Sequence, residues 1–187
     1  VVHLAGQSGI SHDQSIGRIA STFLRSQNMP RPRLVLLVGF CWRNPKSTPD
    51  EVTIVSPTVH CANIQHALLG GRKTQVKVQN SPISIDNDQA ERLCNTISQV
   101  VGRTMLGPIA SAETLYTDDD LRDQLIKQIP GIIGGEMEGF AFLAPFFPWL
   151  VLKAASDTGG TDFDRVRQAT AAANAARAIL PAMVELE

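Results

Sequence analysis

Short apolar runs alternate along the chain with segments whose apolar residues recur at helical spacing. Apolar runs at 33–39, 51–56, 105–111, 132–137 and 149–155 predict buried strands, and two further strands are predicted at 1–5 and, on a sheet edge, at 74–79. Helices are predicted at 13–27, 88–101, 118–128, after 137 as far as Pro145, and from 162 or 164 onward. Strands alternating with helices predict an α/β fold, a three-layer α/β/α sandwich around a largely parallel, twisted central sheet.

Two of the predicted strands end abruptly in polar residues. The first ends in Glu136, Met137 and Glu138. In an extended backbone the two carboxylates share one face and Met137 points to the other. Open α/β sheets present charged side chains in the crevice beyond their strand ends, so a functional site is one interpretation. The alternative is that both glutamates favour the positive end of a following helix.

The second polar ending follows the apolar run at 149–152. Lys153 ends that run, and Ser156 and Asp157 lead into Gly159 and Gly160. A site at this strand end is again one interpretation. A turn or helix cap would also explain Ser156 and Asp157, and a lysine paired with a neighbouring carboxylate would explain Lys153.

Taken together, the two endings resemble those of the nucleoside phosphorylase and nucleosidase superfamily. Its members include purine nucleoside phosphorylases and methylthioadenosine/S-adenosylhomocysteine nucleosidases. Supporting matches lie in segments that span most of the chain in the family's order: residues 7–10, 38–39, 107–111 and 174–177. The resemblance implies a single phosphorylase/hydrolase-like domain over 1–187, without the family's usual first strand.

The resemblance also implies a role for each polar residue. Cleavage of a ribosyl N-glycosidic bond needs an acid for the leaving purine and negative charge near the cationic sugar. Asp157 would protonate or hydrogen-bond N7 of the purine, and Ser156 would orient it. Glu138 would bind the ribose hydroxyls, and Met137 would pack against the sugar.

Further substrate contacts are implied at positions around these residues. Lys153 stands where several relatives have arginine, so it could contact an anionic nucleophile, orient water or pair with Glu136. Leu115 and Tyr116 lie where the family builds its base pocket, although a lone tyrosine is equally expected in a core.

Two departures from the phosphorylase pattern favour water as the nucleophile. Phosphorylases of this family commonly hold phosphate and ribose with an arginine and a serine, where this chain has Leu37 and Phe40. The place of Phe40 in this pattern implies that it contacts the substrate. Without the guanidinium, phosphate loses its strongest bidentate partner, although Arg43 could supply a charge from the adjacent loop. A hydrolytic purine nucleosidase is therefore the leading hypothesis. A phosphate-dependent phosphorylase (a pentosyltransferase) and an inactive nucleoside-binding module of a larger regulatory or defence protein are the alternatives.

Composition narrows the list of partners. The 187 residues carry a formal net charge of -1, with 19% charged and 43% hydrophobic residues, so neither nucleic acid nor an anionic membrane is an expected partner. Three cysteines and four histidines show no metal-ligand spacing, and no cofactor or metal is expected. A reduced, cytoplasmic protein is expected, and the resemblance implies a homo-oligomer that binds a nucleoside or nucleotide, with or without phosphate.

Overall fold

A computed structural model of the chain describes residues 34–67, 73–78, 83–84, 87–112, 119–138, 148–161 and 165–185. Nine strands and four helices lie in this part of the chain. The strands are β1 Val35–Arg43, β2 Thr53–Ser56, β3 Thr58–Ala67, β4 Lys73–Val78, β5 Ile83–Ser84, β6 Thr104–Leu106, β7 Ile109–Ala112, β8 Gly134–Glu136 and β9 Trp149–Asp157. The helices are α1 Asn87–Val101, α2 Asp119–Gln128, α3 Arg165–Arg177 and α4 Ile179–Glu185.

All nine strands belong to one mixed sheet, in the order β4-β3-β7-β8-β1-β9-β2-β6, with β5 paired to β3. Neighbours are parallel in β1/β9, β2/β6, β3/β7 and β7/β8, and antiparallel in β1/β8, β2/β9, β3/β4 and β3/β5. The prediction of a largely parallel sheet was therefore wrong. Apolar runs report burial on both faces, and antiparallel strands that are covered on both faces produce the same pattern.

The sheet curls strongly over its own inner face. A Cβ on Gly134 of β8 would lie 3.1 Å from Cδ1 of Ile54 on β2, although β1 and β9 separate these strands in the sheet. Only Gly107 and Pro108 separate β6 from β7, and the Ile133 N–H donates to the Pro108 carbonyl at 2.9 Å. The curl buries an inner core that includes Leu37, Cys41, Ile54, Val59, Ile109, Ile133 and Val151.

Helices cover the other face of the sheet. Apolar residues of α1, including Leu93 and Ile97, pack with Leu150 and Leu152 of β9. Alanines of α3 pack on Ala154, and Leu125 of α2 joins a cluster with Ala110 and Ala112 of β7. The chain is thus a mixed α/β fold with helices flanking a curled sheet, and the three-layer arrangement stays a prediction.

Most strands and helices predicted in the described part of the chain are confirmed, with their ends shifted by a few residues. The structure differs from the prediction in three segments. Strand β3 lies in the segment that carried no clear pattern. The run at 105–111 is two strands, because Pro108 has no N–H to donate and the chain changes partners there. The last helix is split after Arg177, since Pro181 is tolerated only in the first turn of a new helix.

Some predictions fall outside the described residues. They are the strand at 1–5, the helix at 13–27 and the helix that Pro145 ends. Within the ranges that the structure does describe, none of the helices has the length and apolarity needed to cross a membrane.

Candidate active site

The two polar strand endings meet across β1. Lys153 on β9 is in register with Gly39 of the parallel neighbour β1. On the other side of β1, β8 runs antiparallel, with Gly135 opposite Trp42. The chain leaving β8 therefore runs back along β1 towards Gly39, which brings Glu138 to Lys153.

Glu136, Glu138 and Lys153 form a buried group that we call the carboxylate–lysine cluster. The Lys153 Nζ donates to Glu138 Oε2 at 2.8 Å and lies 3.6 Å from Glu136 Oε2. The side chains of Lys153, Glu136 and Glu138 are only 4%, 1% and 15% exposed. Glu136 Oε2 also accepts the backbone N–H of Glu138 at 2.8 Å, so one carboxylate fixes the chain that carries the other.

Glycine at position 39 makes room for the ammonium group. A Cβ on Gly39 would lie 3.2 Å from Lys153 Nζ, closer than nearly all real contacts of this kind. The side chain of Lys153 therefore passes over β1 because its strand partner has no side chain of its own.

Burial and charge act against each other in the cluster. Burial raises the pKa of Glu136 to about 7, assisted by the Glu138 charge and opposed by Lys153 and a hydrogen bond from Ser111. Burial would also raise the pKa of Glu138, but attraction and hydrogen bonding by Lys153 hold it below its ordinary value. Burial opposes the charge on Lys153, yet the two carboxylates raise its pKa above the ordinary value. Glu136 is thus the member whose charge changes near neutral pH.

Two cysteines lie near Glu136. Burial raises the pKa of the Cys41 thiol strongly, and it raises that of Cys61 to about 11, with the Glu136 charge acting in the same direction on both. Both side chains are therefore neutral thiols at physiological pH. Cys41 and Cys61 therefore add no charge of their own near Glu136.

Ser156 and Asp157 form the second polar group, which we call the serine–aspartate pair. Ser156 Oγ lies 2.6 Å from Asp157 Oδ2 and 3.2 Å from the carbonyl oxygen of Cys41. The Gly159 N–H donates to Asp157 Oδ1 at 2.8 Å, and the φ of 70° at Gly159 lies in the left-handed region that favours glycine. Both oxygens of the carboxylate are held by uncharged donors.

This arrangement accommodates either protonation state of Asp157. When Asp157 is ionised, the Ser156 hydroxyl donates to it. When Asp157 carries a proton on Oδ2, that proton can point to Ser156 Oγ, and the hydroxyl then donates to the Cys41 carbonyl.

Trp42 joins the two polar endings. Its backbone is in register with Gly135 on one side and with Asp157 on the other. A Cβ on Gly135 would lie 2.6 Å from Cε2 of its indole, and one on Gly159 would lie 2.7 Å from Cγ. The ring thus packs directly on the backbone next to the cluster and next to the pair, and glycine is required at both places.

The remaining predicted site residues are distributed as follows. Met137 is half-buried between the two glutamates. Phe40 packs with Ala154, Ala171 and Ala175 beneath α3, so the structure does not bring it to the cluster. Leu115 and Tyr116 lie outside the described residues. Their roles, like those of the residues that do meet, stay predictions.

Sequence reasoning missed Gly39, Cys41, Trp42 and Ser111 as parts of the site. Ser111 is in register with Glu136, its neighbour on β8. It lies in the family-like segment at 107–111, so that match was the available signal. Gly39 lies in the family-like match at 38–39, which was the signal available for it. Nothing local indicated that Cys41 and Trp42 would contact residues more than ninety positions away.

Arg43, the cation that could have replaced the missing phosphorylase arginine, is already engaged. Its guanidinium donates to the Thr48 carbonyl at 2.9 Å and pairs with Asp50. Among the described residues, no group of three or more His, Cys, Asp or Glu side chains could hold a metal ion.

Fold and site together define a mixed α/β protein with a carboxylate–lysine cluster beside a serine–aspartate pair. Solved structures of methylthioadenosine/S-adenosylhomocysteine nucleosidases are similar to it. The Colwellia psychrerythraea enzyme, in complex with adenine, has a TM-score of 0.72 and 18% identity, with 91% of this chain and 73% of that chain covered. The Helicobacter pylori enzyme has a TM-score of 0.65 and 16% identity, covering 95% and 76%.

A third structure, from Streptococcus pneumoniae with a transition-state inhibitor, has a TM-score of 0.65 and 18% identity over 83% of this chain and 70% of that chain. No protein-family model and no curated protein matches the sequence. At these identities the likeness shows the fold. It confirms the nucleosidase-like fold that the motifs implied.

Proposed function

We propose that the protein is a hydrolytic purine nucleosidase that cleaves the N-glycosidic bond of an adenosine-like nucleoside or nucleotide. One observation carries this proposal. The carboxylate–lysine cluster and the serine–aspartate pair lie on the two strands that flank β1, joined through Trp42. Charge stabilisation for a sugar cation and an acid for a leaving base are therefore available side by side.

The serine–aspartate pair acts on the base. Cleavage leaves negative charge on the purine, which a proton on N7 neutralises. Asp157 supplies that proton to N7 as the C1′–N9 bond breaks, and the Ser156 hydroxyl then turns from the Cys41 carbonyl to donate to Asp157 Oδ2. Water bonds to C1′ and releases one proton, which returns Asp157 to its acid form. Positioned general acids of this kind contribute about 10²–10⁴-fold to rate.

The carboxylate–lysine cluster acts on the sugar. Lys153 donates to Oε2 of Glu138, and the Met137 backbone and the Glu136 side chain also hydrogen-bond to this carboxylate. A carboxylate accepts about four hydrogen bonds, so ribose hydroxyls would take the acceptor position that is left. The low pKa of Glu138 keeps it ionised, so its charge favours the oxocarbenium-like transition state. Met137 packs against the sugar, while Glu136 fixes the Glu138 backbone. Leu115 and Tyr116 contribute to the base pocket.

Water is favoured over phosphate as the nucleophile. A phosphate anion needs an available cation, preferably a guanidinium. Arg43 is bound to Asp50 and the Thr48 carbonyl, and Lys153 is bound between two carboxylates. Leu37, at the place of the phosphorylase arginine, is buried in the inner core. The similar structures cited above are nucleosidases, in agreement with this choice.

The test is a chromatographic assay for free base. The protein is incubated with adenosine, inosine, methylthioadenosine, S-adenosylhomocysteine, AMP and ATP, each with and without phosphate. We expect base release from at least one adenine nucleoside or nucleotide without phosphate. The isosteric variant Asp157→Asn should lose at least 10²-fold in kcat, by the loss of the general acid.

Asp50→Asn, which removes a carboxylate that pairs with Arg43 outside the site, is the matched control and should stay active. Release that depends strictly on phosphate would instead make the protein a phosphorylase. Absence of base in every lane would contradict the proposal and leave a nucleoside-binding module as the explanation of the fold.

A further inference from the structure

Arg122 on α2 is a buried cation outside the two polar groups. Its side chain is 11% exposed, and its guanidinium donates hydrogen bonds to three residues. Nη1 donates to Asp119 Oδ1 at 2.7 Å, and Nε and Nη2 donate to Asp123 Oδ1 at 3.1 and 3.0 Å. The hydrogen bond from Arg122 also lowers the pKa of Asp123, so this carboxylate is a firmly ionised anchor.

The third partner of Arg122 is the residue after Asp157. Nη1 donates to the Thr158 carbonyl at 3.3 Å and lies 3.4 Å from Thr158 Oγ1. The bonds cross from α2 to the loop after β9, thirty-six positions apart in sequence. The two aspartates fix the guanidinium on the helix, and the guanidinium in turn fixes the loop.

The next residues of the loop fit closely against the same helix. A Cβ on Gly160 would collide with Asp119 Oδ1 and would lie 3.0 Å from Arg122 Nη1. The loop has another contact, with the Trp42 indole, which packs on Gly159. The backbone N–H of Gly159 is one of the two donors that hold the Asp157 carboxylate. The position of that donor is therefore set by Arg122 and Asp119 together with Trp42.

We propose that Arg122 is a positioning residue for Asp157, a role that rests on the proposed function of Asp157 as the acid. Arg122 holds Thr158 and thereby places the Gly159 N–H, which orients the Asp157 carboxylate towards the base. Lysine cannot substitute, because a single ammonium lacks the planar fork that spans two aspartates and a carbonyl. Small displacements of a catalytic group cost on the order of 10²-fold in rate.

The test compares Arg122→Lys with Arg43→Lys. Arg43 is a matched control, since it too binds a carboxylate and a backbone carbonyl but has no contact with the loop after Asp157. We expect Arg122→Lys to lower kcat about 10²-fold with little change in KM, and Arg43→Lys to leave both near the wild-type values. Equal kcat in the two variants would overturn the proposal.

A second readout does not depend on activity. Amide hydrogen exchange at Gly159 reports the bond to Asp157, and it should be faster in Arg122→Lys than in the wild type or Arg43→Lys. Unchanged exchange at Gly159 would overturn the proposal even if the enzyme were inactive. A wild-type protein that releases no base, by contrast, contradicts the proposed function, and Gly159 exchange still decides whether Arg122 holds the loop.

Gly160→Ala is a second variant that tests the proposal if Arg122→Lys does not fold. Its methyl group would push the loop away from Asp119 while the guanidinium stays intact. The same fall in kcat and the same faster exchange at Gly159 are expected. Wild-type values for both would contradict the view that contact with α2 places Asp157.

Discussion

The carboxylate–lysine cluster spans β1, and the serine–aspartate pair lies on β9 with Lys153, but the two groups hold their carboxylates by different means. In the cluster, Glu138 is buried against a cation that keeps its pKa low. In the pair, Asp157 accepts only from a hydroxyl and a backbone N–H among the described residues. The two carboxylates thus differ in that a buried ammonium contacts Glu138, whereas a hydroxyl and a backbone N–H contact Asp157.

This difference matches the two demands of glycosidic cleavage. Stabilising a sugar cation needs a carboxylate that stays charged throughout the reaction, and the cluster provides one. Protonating a leaving base needs an acid, and under the proposed function Asp157 of the pair has that role. The same residue type thus serves two roles because its surroundings differ.

The cluster should be the more fragile of the two regions when its cation is removed. Lys153→Met removes the cation from two buried carboxylates, and breaking a buried ion pair in this way costs about 3–5 kcal/mol of unfolding free energy. Urea denaturation at pH 7.5 measures the loss. The control is Lys46→Met, which removes an ammonium 62% exposed and 3.5 Å from Asp123, so its cost should stay below about 1 kcal/mol. Equal costs would contradict the described burial of the cluster.

A substitution at Gly135 should disturb the packing of the Trp42 indole on its backbone, which is the contact that joins the two regions. Gly135→Ala places a methyl group against the Trp42 indole, and overpacking of this kind costs about 1–3 kcal/mol. The smaller ring in Trp42→Phe lacks the atoms that collide, so the same alanine should cost less in that background. A double-mutant cycle by urea denaturation gives the coupling. Additive effects would show that the indole does not pack on Gly135.

The smallest expected effect is on the pH dependence of stability. The pKa of Glu136 is raised in the fold from 4.5 to about 7, so the folded protein binds the extra proton between these values. Stability from this residue is then lost as pH rises from about 4.5 to about 7, opposite to a carboxylate with a lowered pKa.

Glu136→Gln removes this titration and should reduce the loss of unfolding free energy between pH 6 and pH 7 by about 1 kcal/mol. Urea midpoints at the two pH values measure it. Glu91→Gln, at an exposed position on α1, is the control and should leave the pH dependence as in the wild type. An unchanged pH dependence in Glu136→Gln would mean that Glu136 is not the titrating member of the cluster.

Local sequence patterns were sufficient for much of this picture. The apolar run that becomes β9 and the acidic residues after Gly135 predicted where both polar endings lie, since these are local features of the sequence. The predicted extended backbone through Met137 is not seen, because β8 ends at Glu136 and residues 137–138 form a bend. Strand direction was not predictable, because covering on both faces gives parallel and antiparallel strands the same apolar pattern. The pairing of β1 with β8 is long-range, so the continuation of β1 to Arg43 was missed.

The contacts that complete the site are equally long-range. Gly39 matters because Lys153 crosses it, and Trp42 matters because Gly135 and Gly159 lie under its ring. Neither residue has a local pattern that indicates these neighbours. Phe40 was predicted beside the substrate from its place in the family pattern, but the alternation of β1 turns it to the helix-covered face.

The most direct test of the two-region account is to compare kcat/KM for adenosine and 2′,3′-dideoxyadenosine in the wild type, Glu138→Gln and Asp157→Asn. If Glu138 holds the ribose hydroxyls, the wild type prefers adenosine and Glu138→Gln loses most of that preference. If Asp157 acts on the base, Asp157→Asn slows both substrates by the same factor and keeps the preference. A preference that survives Glu138→Gln, or disappears in Asp157→Asn, would contradict the assignment of the cluster to the sugar and the pair to the base.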